Sequence, residues 1–394
     1  LDLLEATLDA LRQNLFLSQE SERVVDHVMR AHPDWDQPTR ASFSRRVLGI
    51  SCLRARLGYL VRSAGLVADL PELLLAYLLD VEKHPASEAA FLSGSPQSWA
   101  EVLASHPPHW PSDPVERLSA QGSLPSWLAQ LWIDELGPAH AEALTQASNQ
   151  PGPVVLRANI LRTHREALSK VLAEEGIVTE PGRLAPEALI VQGRANLFGS
   201  RAWREGLFEV QDEGSQLIAS ACEAKPGERW LDLCAGSGGK TLALAAALQG
   251  RGQLVATDVD ANKLDNLRAR LQRNGVENVE VIQLEPGDEA RALGSRQFDG
   301  VLVDAPCSEL GTLRRHPDLR WRIQPSSMDS LPGLQRSLIE LGRTQLAPGG
   351  RLIYATCTLR RAENEEVASA IGLRAVRTLL PHRDGTDGFF IASS

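Results

Sequence analysis

Two short apolar runs in this chain end in cysteine: LVDAPC at 302–307 and LIYATC at 352–357. A cysteine thiolate is a strong nucleophile and can form a covalent intermediate with an electron-poor substrate. Asp304 stands three residues before Cys307, at the mouth of the same run. A carboxyl group there can donate or accept a proton beside the thiol. An arginine-rich stretch, GTLRRHPDLRWR, follows at once and offers cations to phosphates. By chemistry alone Cys307 and Cys357 compete for the role of nucleophile. The remaining cysteines, Cys52, Cys222 and Cys234, read as small buried hydrophobes.

What these thiols act on depends on the stretch LDLCAGSGGKT at 231–241. It reads as a strand, a glycine turn and a helix start. Gly236, Gly238 and Gly239 let the backbone approach a ligand and present N–H groups. The next strand ends in LVATDVD, and its Asp258 can accept two ribose hydroxyls. The spacing is neither the GxGxxG of nicotinamide enzymes nor a phosphate-binding GxxxxGK[ST], because Cys234 occupies the first glycine position of the latter. The expectation is a nucleoside cofactor with S-adenosylmethionine as first choice, held by this glycine loop and Asp258.

A methyl donor beside a thiol suggests one reaction. Carbon 5 of a pyrimidine is a poor nucleophile until a thiolate adds at C6 and makes the ring enamine-like. A base must then take the C5 proton before the thiol leaves. Asp304, near ring N3, can protonate it or accept its hydrogen bond.

These groups need a scaffold. The chain has 394 residues, enough for two or three domains. Residues 1–80 read as helix, and LDLLEATLDALRQNL and FSRRVLGISCLRARLGYLVRSAG carry apolar residues at helical spacing. The expected domains are an all-α domain with linker at 1–120, a small α+β subdomain at 121–205 and an α/β domain at 206–394. In the last, RWLDLCA, GQLVATDVD, VEVIQL, FDGVLVDAP and RLIYATCTL are strands separated by helices. That alternation predicts a mostly parallel, doubly wound, Rossmann-like sheet. Cys234, Asp258, Asp304 and Cys357 then fall at strand carboxyl ends.

The scattered cysteines make no zinc spacing, so no metal is expected, and a reducing cytoplasm fits. No run of apolar residues is long enough for a membrane span. With no Met at position 1, the chain reads as a trimmed one. Net charge is −9, yet Arg40 to Arg62 holds six arginines and no acid. Arg45, Arg46, Arg54 and Arg56 there, with Arg314 and Arg315 after the Pro-Cys run, are the candidate RNA contacts.

The motifs FEVQDEGSQLIA (208–219), PGERWLDLCAGSGGKT (226–241), DAPCSELGTLRRHPDLRW (304–321), LAPGGRLIYATCTL with ENEE (346–366) and LLPHRDGTDGFF (379–390) resemble the bacterial 16S ribosomal RNA cytosine-C5 methyltransferase B family of the Sun/Fmu type. NQPGPVVLRANILRTHREAL (149–168) resembles that family's small domain, and the N-terminal helices look like a NusB-like RNA-binding domain. The resemblance implies that Cys357 is the nucleophile and that Cys307 helps release the product. It places cofactor contacts on Cys234, Ala235, Gly236, Ser237, Gly238, Gly239 and Lys240, on Asp258 and Asp304, and on the acid after the next strand, Glu285, with Asp288 as substitute. It also implies a monomer acting on 16S rRNA or a partly assembled small subunit. Three departures stand out: Gly236–Ser237 where Ala-Pro is usual, Glu309 where small residues dominate, and Glu285 where relatives show Asp.

Two rivals remain at this level. A DNA cytosine-C5 enzyme would use the Pro-Cys thiol and carry a recognition domain in or after its catalytic region. A non-catalytic RNA-binding or assembly protein would not need Asp304, Cys307 and Cys357 together. An adenine-N6 enzyme is excluded by Asp304-Ala305-Pro306-Cys307, which lacks an Asn/Asp-Pro-Pro-aromatic strand end.

Overall fold

The computed structural model describes residues 2–285, 287 and 289–394. It divides into two compact units: Leu1–Pro151 with Leu313–Pro325, and Gly152–Thr312 with Ser326–Ser394.

The first unit is helical, from Asp2–Leu15 through Pro138–Ser148. Its longest helix, Gln37–Ser63, starts where the Asp36 side chain accepts from the Thr39 N–H at 2.9 Å. Pro38 fits its first turn, where no N–H partner is needed. Phe43, Val47, Ile50, Leu57 and Val61 recur at helical spacing and are fully buried. They join Leu74, Leu75 and Leu78 of the apolar helix Leu70–Asp80 in one core.

Leu313–Pro325 joins this unit from far along the chain. Arg320 is fully buried and donates to Ser123 O at 3.2 Å, Ser148 O at 3.2 Å and Asn149 Oδ1 at 2.5 Å. Trp321 Nε1 donates to Ser51 O at 2.8 Å, and the Arg54 guanidinium lies 4.2 Å from its ring centre. Helices Ser126–Leu136 and Pro138–Ser148 and the RWR stretch all group with the helical unit. The cause is a set of partners that no local pattern discloses.

The second unit holds two sheets. Strands β1 (Val155–Ala158), β2 (Thr179–Pro181), β3 (Ala188–Val191) and β4 (Phe208–Val210) form an antiparallel sheet in the order β2-β3-β1-β4. The larger sheet contains β5 (Arg229–Asp232), β6 (Gln253–Asp258), β7 (Val279–Gln283), β8 (Phe298–Asp304), β9 (Leu346–Thr356), β10 (Arg374–Leu379) and β11 (Phe389–Ser393). Its order is β10-β11-β9-β8-β5-β6-β7. The five strands from β9 to β7 are parallel, as the strand–helix alternation predicts. The antiparallel β10 and β11 were not anticipated; they close the edge beside β9. Strand order reverses at β5, so a crevice opens at the carboxyl ends of β5 and β8. Among the described residues no helix is long and apolar enough to cross a membrane.

Arg320→Ala strands the buried carbonyls of Ser123 and Ser148 and opens a cavity, which costs about 2–4 kcal/mol. Urea unfolding, followed by hydrogen exchange along helix 37–63, should show that loss. Arg322→Ala, at a side chain 31% exposed, should change the same transition by less than about 1 kcal/mol.

Candidate active site

The glycine loop expected to hold the cofactor joins β5 to the helix Gly239–Ala247. Gly238 has φ +86°, and a Cβ there would lie 2.1 Å from Leu267 Cδ1, so only glycine fits. The Gly236 N–H donates to Asp258 Oδ2 at 2.8 Å, and the Asp260 N–H donates to Oδ1 at 2.9 Å. Asp258 thus ties the end of β6 to the loop after β5. The first-turn N–H groups of the helix lack carbonyls of their own. A Cβ on Gly236 would meet nothing within 4 Å, so the loop borders open space. Free amides, a carboxylate and this space suit a nucleoside bearing an amino-acid tail. Cys234 packs against the core on one side of the sheet, where burial pushes its thiol well up. Glu285 is exposed just beyond β7, and Asp288 lies outside the described residues.

Beneath the loop sits Asp232, fully buried. Its Oδ2 accepts from the Thr241 hydroxyl at 2.7 Å, and its Oδ1 has no partner among the described residues. Burial pushes this carboxyl up to about 7, against the opposing effect of Thr241.

The two candidate thiols meet. Cys307 Sγ and Cys357 Sγ are 3.4 Å apart. Parallel pairing of β8 with β9 sets Asp304 opposite Ala355, so the chain beyond each strand enters the same space. The Gly311 N–H then donates to Cys357 O at 2.9 Å, and the Gly388 N–H donates to Gly311 O at 2.8 Å. A Cβ on Gly311 would lie 2.2 Å from Gly388 O, so this crossing requires glycine.

A buried polar network holds both loops from below. Glu363 is fully buried and accepts from Ser308 N at 2.9 Å and Gln335 Nε2 at 3.1 Å. Ser308 Oγ and Thr358 Oγ1 share a hydrogen bond of 2.7 Å. Asn364 Nδ2 donates to Thr358 O at 3.0 Å. The quoted ENEE stretch contained Glu363 and Asn364, but only the fold shows that they brace the cysteine loops. Glu309, the residue after Ser308, has φ +57°, a left-handed backbone that favours glycine. That is a physical reason for a small residue at this position.

Lys240 reaches across from the cofactor loop. Its Nζ is 2.6 Å from Asp304 Oδ2. Burial alone would lower its pKa, but the charge and hydrogen bond of Asp304 outweigh it and raise it. The hydrogen bond with Cys307, then burial, pushes the Cys357 thiol well above the ordinary range. Cys357 is therefore a thiol at rest. Asp304, Lys240, Cys307 and Cys357 make one cluster where β5, β8 and β9 end.

The candidate RNA-contact arginines divide. Arg46 is buried against Glu82 at 3.1 Å, and Arg56 pairs with Asp80 at 2.7 Å. Acids from elsewhere in the helical unit thus neutralise a run that holds none. Arg54 covers Trp321. Arg45 keeps 56% of its side chain exposed. Arg314 and Arg315 are half-buried in the segment that follows the Pro-Cys loop.

Residues 219–372 match the family described as 16S rRNA methyltransferase RsmB/F, and residues 124–197 match its ferredoxin-like domain. The chain is similar to the probable ribosomal RNA small subunit methyltransferase B of Bacillus subtilis, 32% identical over 305 residues, covering 71% of this chain and 68% of that protein. Among solved structures, PH0851 superposes with a TM-score of 0.81 at 24% identity, covering 99% of this chain and 98% of that one. NSun6 from Pyrococcus horikoshii, solved with SFG, gives a TM-score of 0.63 at 22% identity, covering 68% and 97%. These two likenesses concern the fold.

The Asp232 carboxyl allows a signed test. Its folded value of about 7 lies above an unfolded value of about 3.9, so the folded protein binds the proton more tightly. Its contribution is most favourable below the unfolded value and is lost as pH rises towards the folded one. Asp232→Asn should therefore gain stability relative to the wild type as pH is raised from about 5 to about 7.5. Urea midpoints that move in parallel for both proteins would contradict this.

Proposed function

The chain belongs to the RsmB/F family of 16S rRNA methyltransferases, and on that footing we propose that it methylates carbon 5 of a cytidine in 16S rRNA through a covalent cysteine–C6 adduct. The observation that carries this reading is the 3.4 Å approach of Cys307 and Cys357 beside Asp304. A single thiol would suffice to form an adduct. Two in contact suit an enzyme that must also break one.

S-adenosylmethionine supplies the methyl group when bound. The 234–240 loop would hold its amino-acid part through first-turn amides, and Asp258 would hold its ribose. Cys357 loses its thiol proton to solvent and bonds through Sγ to C6, N3 takes up a proton, and C5 becomes nucleophilic as an enamine carbon. The Asp304 carboxylate accepts the hydrogen bond of the N3–H so formed, with Lys240 holding the carboxyl in place. After methylation the C5 proton departs, the C6–Sγ bond breaks and the aromatic ring returns. Cys307, touching Cys357, assists this last step. The target base must be unpaired or turned out of its helix to reach the thiols.

In the same reading the helical unit is a NusB-like RNA-binding domain. Arg45, Arg54, Arg314 and Arg315 contact phosphates, whereas Arg46 and Arg56 mainly serve the fold. The substrate is 16S rRNA or a partly assembled small subunit, and the enzyme is a cytoplasmic monomer.

The roles of the two thiols separate on unmodified RNA. Cys307→Ala should accumulate a covalent protein–RNA complex that releases slowly, while Cys357→Ala should give neither complex nor product. Denaturing gels and 5-methylcytidine analysis read both outcomes. A complex that accumulates only in Cys357→Ala would reverse the assignment. Because Cys357 starts as a thiol, adduct formation should accelerate as pH rises through the neutral and mildly alkaline range. A rate that is flat with pH would place its proton loss elsewhere.

A further inference from the structure

The cofactor loop is gripped from behind by two arginines. Arg270 Nη1 donates to Ser237 O at 2.7 Å, and Arg157 Nη2 donates to Gly239 O at 3.5 Å. In a trans peptide the C=O and the following N–H point in opposite directions. Drawing Gly239 O towards Arg157 therefore turns the Lys240 N–H the other way, at a helix start with amides to offer.

The grip is anchored on the small sheet. Glu209 of β4 is 2% exposed. Its Oε2 accepts from Arg270 Nη2 at 2.7 Å and from Nε at 3.2 Å. Its Oε1 accepts from Asn274 Nδ2 at 2.6 Å and from Arg273. Arg157 of β1 is 6% exposed and donates Nε to Gln211 Oε1 at 2.7 Å. Burial pulls Arg157 down to about 10, with the Glu209 charge opposing, so it stays cationic at neutral pH.

Such a clamp meets a need of this loop. Gly236-Ser237-Gly238-Gly239 is a run with little conformational preference of its own. No proline restrains Ser237, and added Cβ atoms at Gly236 and Gly239 would find nothing closer than 3.5 Å. Order has to be imposed from outside.

We propose that Arg270 is a positioning residue for the cofactor loop: held by Glu209 of the small sheet, it fixes the Ser237 carbonyl, so affinity for S-adenosylmethionine depends on the small sheet. This rests on the assignment of the 234–240 loop to the cofactor.

Calorimetry with S-adenosylmethionine on the full chain tests it. Arg270→Gln should raise the dissociation constant about tenfold, which is about 1.4 kcal/mol. Arg270→Lys keeps the charge against Glu209 and folds even where Gln does not. Its single ammonium cannot serve both Glu209 and Ser237, so its affinity should lie between the two. Hydrogen exchange at the 237–241 amides without cofactor should quicken in both variants, which a general loss of stability would not confine to this segment. Asp258→Ala is the reference. If it loses cofactor binding while both Arg270 variants keep wild-type affinity, the clamp is refuted and the loop assignment stands. If none of the three changes affinity, the loop assignment fails and the clamp with it.

Discussion

The contact between Cys307 and Cys357 depends on parallel pairing of β8 and β9, and much of the second unit serves that pairing. Two neighbouring parallel strands deliver their following loops to the same edge of the sheet. The register of Asp304 opposite Ala355 leaves each cysteine only two or three residues to travel. Within so short a distance, the loops can be held only by groups directly beneath them. Glu363, Gln335, Asn364 and the Ser308–Thr358 pair provide that hold. Each is buried, so a lost partner would cost about 1–3 kcal/mol and loosen a thiol at the same time. The Gly311–Gly388 crossing adds a backbone lock that admits no side chain.

Electrostatics then separate the two functions of the crevice. Lys240 belongs to the cofactor loop and bonds Asp304 of the thiol side, so one ion pair spans both halves. Asp304 keeps Lys240 charged in spite of burial, and Lys240 keeps Asp304 in place. The hydrogen bond with Cys307 and burial hold Cys357 in its thiol form at rest, which makes it a poor nucleophile until substrate arrives. On the other side of the loop, Glu209, Arg270 and Arg157 brace the same backbone from the small sheet. The loop is flexible in its sequence but restrained on two sides by its surroundings.

Much of this was legible in the residues. Strand–helix alternation predicts the parallel strands β5 to β9, and a glycine turn followed by Asp258 marks the loop proposed to hold the cofactor. Asp304, Cys307 and Cys357 announced themselves by type and by position after apolar runs. What was hidden lay in long-range partners. The acid-free arginine run looked wholly available because Glu82 and Asp80 lie 36 and 24 residues from Arg46 and Arg56. The RWR stretch read as phosphate-binding, yet Arg320 and Trp321 are spent on Asn149 and Ser51 in the helical core. β10 and β11 escaped notice because Arg374–Leu379 is mostly exposed and shows no alternation of apolar with polar residues. Glu363 looked like one acid among four polar neighbours until its complete burial set it apart.

In the proposed mechanism one of two touching thiols, Cys357, forms the bond to the base. RNA carrying 5-fluorocytidine tests this directly, because fluorine at C5 blocks proton loss and traps the adduct. With cofactor present, the wild-type protein should yield a stable complex. Peptide mapping by mass spectrometry should find the nucleotide on Cys357 and leave Cys307 unmodified. A nucleotide found on Cys307 instead would contradict the account.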